Sequence, residues 1–304
     1  MLKVCVPATS ANLGSGFDCV GIALDLYNEL YFYKEKESDV PSGATLLPKE
    51  SLAHRGMELV AEAVGQKVPD LNIAIKTVVP RSRGLGSSAT LAVAGLVAAN
   101  VILEANLKEE EIISLASRIE GHPDNAAPAL IGGLVISVTS AQGIKYIKVK
   151  PQNPLRVIVA VPDFKLATAA ARKVLPVVVP HQDAVFNTGR FGLLMTSFLT
   201  GDYQLLKLAM EDRLHQPYRL PLVPGLKEVI SAAVSRGALG SCLSGAGPSV
   251  LAFCDQQVEG ISKVMADTWK EYGVSARTYL LEIAEEGTRY AFPLLSNKVL
   301  PTDF

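Results

Sequence analysis

At 304 residues the chain is long enough for two domains, and its 49% hydrophobic content supports substantial cores. A net charge of −1 gives no electrostatic drive toward nucleic acid or an anionic membrane surface, and no segment reaches the roughly 20 apolar residues of a membrane span. The first residues lack a secretory pattern, and Cys5, Cys19, Cys242 and Cys254 form no C-x-x-C pair, so a cytoplasmic protein with buried thiols is expected.

The chain opens with a short strand at 3–6, a polar loop at 8–16 and a segment of strand character at 30–33. Residues 51–64 read as a helix and 73–79 as a strand. The most informative stretch follows: Arg83-Gly84-Leu85-Gly86-Ser87-Ser88-Ala89-Thr90, set against an apolar helix predicted over 89–103. A flexible, hydroxyl-rich loop at a helix N-terminus presents unpaired backbone N–H groups and the positive end of the helix dipole, a ready phosphate site. Glycines let that backbone approach the anion without a Cβ in the way.

The spacing Gly84-x-Gly86-x-x-Ala89 fits a dinucleotide fingerprint literally, but its context does not. Pro80-Arg81-Ser82-Arg83 separates the glycines from the strand, and Glu104 ends a helix rather than a second strand. No G-K-[ST] occurs, so a Walker A loop is absent. A second helix, 108–120, carries Ile112, Leu115, Ala116 and Ile119 on one face. Strands are expected at 134–138 and 146–149; Pro151 and Pro154 then punctuate the chain before a strong strand at 156–161. That punctuation divides the chain into domains 1–153 and 154–304. The second half mixes helices at 166–175, 185–200 and 226–236 with strands at 249–253 and 277–281, which indicates an α+β fold rather than a doubly wound sheet.

Three further clusters hold polar groups that a fold does not need. In 7–18, Asn12 and Asp18 bracket a glycine loop suited either to a long turn or to ligand capture. In Glu120-Gly121-His122-Pro123-Asp124-Asn125, a glutamate at a helix C-terminus opposes the dipole. Its carboxylate calls for a positive partner, either Mg²⁺ beside a nucleotide or a nearby arginine. His122 reads as a structural hydrogen-bonder, since no second histidine stands at ligand spacing. The turn Ser244-Gly245-Ala246-Gly247-Pro248-Ser249 either lines a site or merely joins two elements.

Together, the blocks at 7–18, 80–90, 120–128 and 244–249 resemble, in order and separation, the GHMP small-molecule kinases along nearly the whole chain. Thr9-Ser10-Ala11-Asn12-Leu13-Gly14-Ser15-Gly16-Phe17-Asp18, the Glu120 to Asn125 block, and Pro217-Tyr218-Arg219 before Val223-Pro224-Gly225 are similar to the homoserine kinase branch. Ser15 stands where a proline is common and Ala126 where valine is common. The resemblance implies a GHMP kinase fold: an N-terminal domain like the second domain of ribosomal protein S5 and a ferredoxin-like C-terminal domain. It also implies ATP and Mg²⁺, L-homoserine as phosphoryl acceptor in threonine biosynthesis, and permits a homodimer.

Residue roles follow only from that resemblance. Pro80, Arg81, Ser82, Arg83, Gly84, Leu85, Gly86, Ser87, Ser88, Ala89 and Thr90 would hold the ATP phosphates, with Ser88 and Glu120 as Mg²⁺ contacts. Asp18 and Asp124 would hold the substrate ammonium, supported by Asn12; Arg172 and Arg219 would clamp the carboxylate, and Asn125 the hydroxyl. Thr168 and Gly245 complete the expected substrate contacts. Catalysis by alignment and charge neutralisation is expected, with Asp124 on the ammonium rather than acting as a base.

Overall fold

Two antiparallel sheets and the seam between them carry the fold. The computed structural model describes residues 1–34 and 41–292; 35–40 and 293–304, the latter at the end of the expected second domain, lie outside the described residues. In chain order the elements are β1 (Leu2–Ala11), β2 (Val20–Tyr33), β3 (Thr45–Leu46), α1 (Leu52–Ala63), β4 (Asn72–Lys76), α2 (Ser87–Ile102), α3 (Glu109–Glu120), α4 (Ala126–Ile131), β5 (Leu134–Ser140) and β6 (Gly143–Val149). The second half contributes β7 (Arg156–Pro162), α5 (Thr168–Lys173), α6 (His181–Thr200), α7 (Leu206–Ala209), α8 (Gln216–Arg219), α9 (Leu226–Ser235), β8 (Gly240–Leu243), β9 (Val250–Cys254), α10 (Val258–Glu271), β10 (Ala276–Glu282) and β11 (Arg289–Ala291).

The first sheet runs β11-β1-β2-β4-β3, with β5 paired to β2 and β6 to β5. The register between β1 and β2 shifts at Pro7/Ala8, a bulge where a proline without an N–H donor is tolerated. Leu30, Phe32, Ile73 and Ile75 of this sheet pack against Met57, Val60, Val93, Leu96 and Val97 of α1 and α2. Helix α2 is apolar on every side because it is buried on nearly every side. It crosses α1 at two glycines: a Cβ on Gly95 would lie 1.9 Å from Ala53 O, and one on Gly56 2.7 Å from Ala92 O.

The second sheet runs β10-β7-β9-β8, every neighbour antiparallel, the strand order of a ferredoxin-like fold. Its central strands are buried on both faces and alternate between two cores. Val157, Val159 and Val161 of β7, with Leu251 and Phe253 of β9, face a core shared with Leu13, Ile22 and Leu24 of the first half and Phe198 of α6. Ile158, Ala160, Val250 and Ala252 face the other way, onto Val229 of α9 and Met265 and Trp269 of α10. The chain also returns at its end, β11 pairing with β1. A core common to both halves fixes the seam between the sheets, and the polar clusters meet there.

Some expectations need correction. The loop read at 8–16 is strand as far as Ala11, because Thr9 and Ser10 are fully buried and spend their hydroxyls on neighbouring loops. Helix α2 begins at Ser87, two residues before the apolar run. Helices α4 and α10 and strand β8 were not anticipated, although Ile261, Met265 and Trp269 repeat every four residues along α10.

The helix crossing yields a paired test. Gly95→Ala should destabilise the protein by about 1–3 kcal/mol or more in urea unfolding, because the added methyl meets backbone. Gly189→Ala, at an exposed position of α6 with nothing within 4 Å of the added Cβ, should stabilise it by up to ~1 kcal/mol. Equal effects would contradict the close crossing.

Candidate active site

The glycine loop leaves the N-terminus of α2 open to the seam. Gly86, at φ 63°, caps α2 without a side chain, so nothing from the cap meets the first-turn N–H groups. Neither glycine of the loop admits a substituent: a Cβ on Gly84 would fall 2.2 Å from Ser244 O, and on Gly86 1.9 Å from Thr9 Oγ1.

The loop is held from behind by both halves of the chain. Thr9 N donates to Leu85 O at 3.2 Å, and Ser249 N to Arg83 O at 3.3 Å. Ser244 Oγ donates to Gly84 O at 2.7 Å and shares a hydrogen bond of 2.8 Å with Ser10 Oγ. Arg83 reaches the end of β7, its Nε donating to Pro162 O at 2.8 Å and its Nη2 to Asp163 O at 2.7 Å. Beneath α2, the buried Asn28 accepts from Val78 N and Val79 N, both at 2.9 Å, and donates to Thr90 Oγ1 at 2.9 Å. Sequence reasoning passed over Asn28, which stands between Tyr27 and Glu29 just before the strand read at 30–33 and carries no local signal.

A cavity of about 280 Å³ opens in front of the loop, at the seam of the two sheets. Arg81, Ser82, Arg83, Gly84, Leu85, Gly86, Ser87 and Ser88 form one wall; Asn12, Asp18, Glu120, Asp124, Asn125, Thr168, Arg172, Arg219 and Gly245 also line it. Pro80, Ala89 and Thr90 do not reach the wall. Thr90 is buried, and its hydroxyl donates to Ser87 O at 2.8 Å inside the first turn of α2. His122, read as structural, lines the cavity as well.

Opposite charges meet inside it. Arg172 holds Asp18 with both arms of its guanidinium, at 2.6 and 3.1 Å, so the two residues expected to bind opposite poles of a substrate bind each other here. Asp124 is buried and accepts from His122 Nδ1 and from Asn125 Nδ2, the latter at 3.3 Å. Burial opposes charge on His122, but the hydrogen bond and charge of Asp124 outweigh it and raise the imidazole pKa. One ligand atom each from Asp18, His122 and Asp124 lies within 4.8 Å of the others. Asn125 Oδ1 accepts from Thr9 Oγ1 at 2.8 Å, which ties this cluster to the glycine loop.

Arg219 is 1% exposed. Its Nη1 donates to Gly245 O at 3.0 Å, and Asn12 Nδ2 donates to the same carbonyl at 3.1 Å. Burial, reinforced by the charge of Arg172, lowers the Arg219 pKa to about 10, so it stays cationic at neutral pH.

Glu120 accepts from Ser88 Oγ at 2.7 Å, and no arginine pairs with it among the described residues. Burial raises its carboxyl pKa, which the Ser88 hydroxyl only partly offsets. A raised carboxyl pKa means that the folded state disfavours the carboxylate, so this contribution to stability is present below the unfolded pKa and lost as pH rises through the folded one. Glu120→Gln should therefore match the wild type in urea unfolding near pH 4 and exceed it at pH 8; the same difference at both pH values would refute the burial penalty.

Comparison with known proteins agrees with this architecture. The GHMP kinases N terminal domain matches residues 51–133, and the GHMP kinases C terminal domain matches 194–271. A homoserine kinase of Desulfitobacterium hafniense is 40% identical over 298 residues, 94% of this chain and 99% of its own. One from Nostoc punctiforme is 42% identical over 296 residues, 95% of this chain and 97% of its own. The crystal structure of homoserine kinase from Cytophaga hutchinsonii superposes with a TM-score of 0.82 at 27% identity, covering 95% of this chain and 97% of that one. With the fold, both family domains and relatives matched over nearly their whole length in agreement, the chain belongs to the GHMP kinase family, in its homoserine kinase branch.

Proposed function

We propose that this chain transfers the γ-phosphoryl group of ATP to the side-chain hydroxyl of L-homoserine, giving O-phospho-L-homoserine. The observation that carries the reading is the convergence of two carboxylates, Asp18 and Asp124, and two guanidiniums, Arg172 and Arg219, beside the α2 glycine loop. An amino acid brings one positive and one negative pole, and this cavity offers both complements. A mevalonate-like acceptor has no ammonium and would leave the paired carboxylates without a purpose.

The roles follow from position. The first-turn N–H groups of α2, with Arg81 at the wall, receive the phosphates. Asp18 and Asp124 take the ammonium, and Arg172 and Arg219 take the carboxylate. Substrate entry exchanges the internal Asp18–Arg172 pair for two pairs with the ligand. Asn125, between Thr9 and Asp124, orients the hydroxyl. Asp124 is already engaged by His122 and Asn125, which suits it to binding better than to proton abstraction.

Ser88 and Glu120 provide two hard oxygen donors at 2.7 Å, and the carboxylate carries an uncompensated burial cost. That donor set fits Mg²⁺, which when bound would neutralise charge on the transferring phosphoryl group. The expected domain division, 1–153 and 154–304, suits a reaction in which the phosphate loop and the carboxylate-binding arginines come from different halves.

A coupled ADP-release assay with Mg-ATP should show turnover with L-homoserine and none with mevalonate or without acceptor, mass spectrometry identifying the product. Turnover of mevalonate alone would discard the substrate assignment and keep the nucleotide site. Asp124→Asn should raise the homoserine KM about tenfold or more with kcat nearly intact; a collapse of kcat at saturating substrate would make Asp124 the base.

A further inference from the structure

Arg219 is almost wholly buried at the cavity wall, and three protein acceptors meet its guanidinium. Two are backbone carbonyls, Ala171 O on Nε at 3.1 Å and Gly245 O on Nη1 at 3.0 Å. The third is His215 Nδ1, 3.1 Å from Nη1, and its capacity to accept depends on where its proton sits.

The surroundings of His215 decide that. The ring is fully buried, and its Nε2 lies 2.8 Å from Gly14 O. A carbonyl only accepts, so Nε2 carries the hydrogen; a guanidinium only donates, so Nδ1 must keep its lone pair. The neutral Nε2–H imidazole alone satisfies both. A protonated ring would set an N–H against an N–H and a second cation against the first. Burial first, and then the charge of Arg219, lowers the His215 pKa against the opposing pull of Asp212.

The ring is fixed from three sides. Asp212, 3.5 Å from Nε2, accepts from the backbone N–H of Leu214, His215 and Gln216 at 2.9, 2.9 and 2.6 Å and from Asn187 Nδ2 at 2.8 Å, which locks the turn into α8. Phe17 stacks on His215 at 5.2 Å, and its ring stands 5.5 Å from the Arg219 guanidinium and 5.7 Å from that of Arg172. Gly14 O completes the frame. Gly14 and Phe17 belong to the loop that presents Asp18, so one frame sets both poles of the cavity.

We infer that His215 is a positioning residue of the acceptor site: as a neutral imidazole it holds the Arg219 guanidinium in the orientation that receives the substrate carboxylate. It acts through Arg219 and does not line the cavity. This rests on the acceptor assignment proposed above.

The test is a split of kinetic constants together with a spectrum. His215→Phe keeps the ring volume and removes both nitrogens. It should raise the homoserine KM about tenfold or more, with kcat within about threefold and the ATP KM within about twofold of wild type. His215→Gln retains a donor and an acceptor and should bring the homoserine KM back to within about threefold of wild type. In an Arg219→Ala background, His215→Phe should add less than about threefold. An unchanged homoserine KM in His215→Phe, a parallel loss in the ATP KM, or full additivity would overturn the inference. The ¹⁵N ring spectrum of the wild type needs no variant: the neutral Nε2–H form is expected at pH 7, and an Nδ1–H or protonated ring would overturn it. Absence of homoserine turnover by the wild type would instead remove the acceptor reading, while the ring spectrum still decides the tautomer.

Discussion

A site that binds phosphate through backbone N–H groups cannot position them with side chains on the ligand side, so it must be held from behind. Much of the architecture serves that constraint. The first turn of α2 projects into the cavity, and Gly84 and Gly86 press so closely on Ser244 and Thr9 that any side chain would push the loop away. Thr9, Ser10, Asn28, Arg83 and Ser244 supply the hydrogen bonds beneath it. They tie the loop to β1, β2, the end of β7 and the turn before β9, so both halves of the chain hold it.

The shared apolar core makes this possible. Because β7 and β9 alternate their side chains between two cores, one face of the second sheet is committed to the first half. A shared core therefore spans the seam, and residues far apart in sequence make hydrogen bonds across it. Asn12 and Arg219 meet on one carbonyl, Gly245 O, and Arg172 reaches Asp18 across 154 positions. Within the cavity, charge is managed by pairing: Asp18 with Arg172, and Asp124 with His122. A nearly neutral chain thus carries a strongly charged pocket whose charges pair with one another.

Much of this was legible in the sequence wherever the signal was local. Helices α1, α3, α6 and α9 follow apolar periodicity, and α2 is a continuous apolar run marked by the glycine loop before it. The cavity-lining residues Asn12, Asp18, Glu120, Asp124, Asn125, Arg172, Arg219 and Gly245 were identified because their motifs resemble those of a family. What escaped was non-local. Thr9 and Ser10 look like loop residues until the partners of their hydroxyls are seen. Asn28 lies outside the strand read from sequence, and His215 has no local pattern that distinguishes it from an ordinary core or turn residue.

The sequence by itself determined the α+β class and set a glycine loop at the start of an apolar helix, while the charged residues expected at the site came from the resemblance of its motifs to a family. Composition, periodicity and glycine placement act within a few residues, and such information survives in one dimension. Tertiary structure alone decided which charges neutralise one another, which groups meet the rings of His122 and His215, and which side chains brace the loop. Those outcomes depend on distances of about 3 Å between groups far apart in the chain, and on the burial that makes each unpaired donor or charge costly.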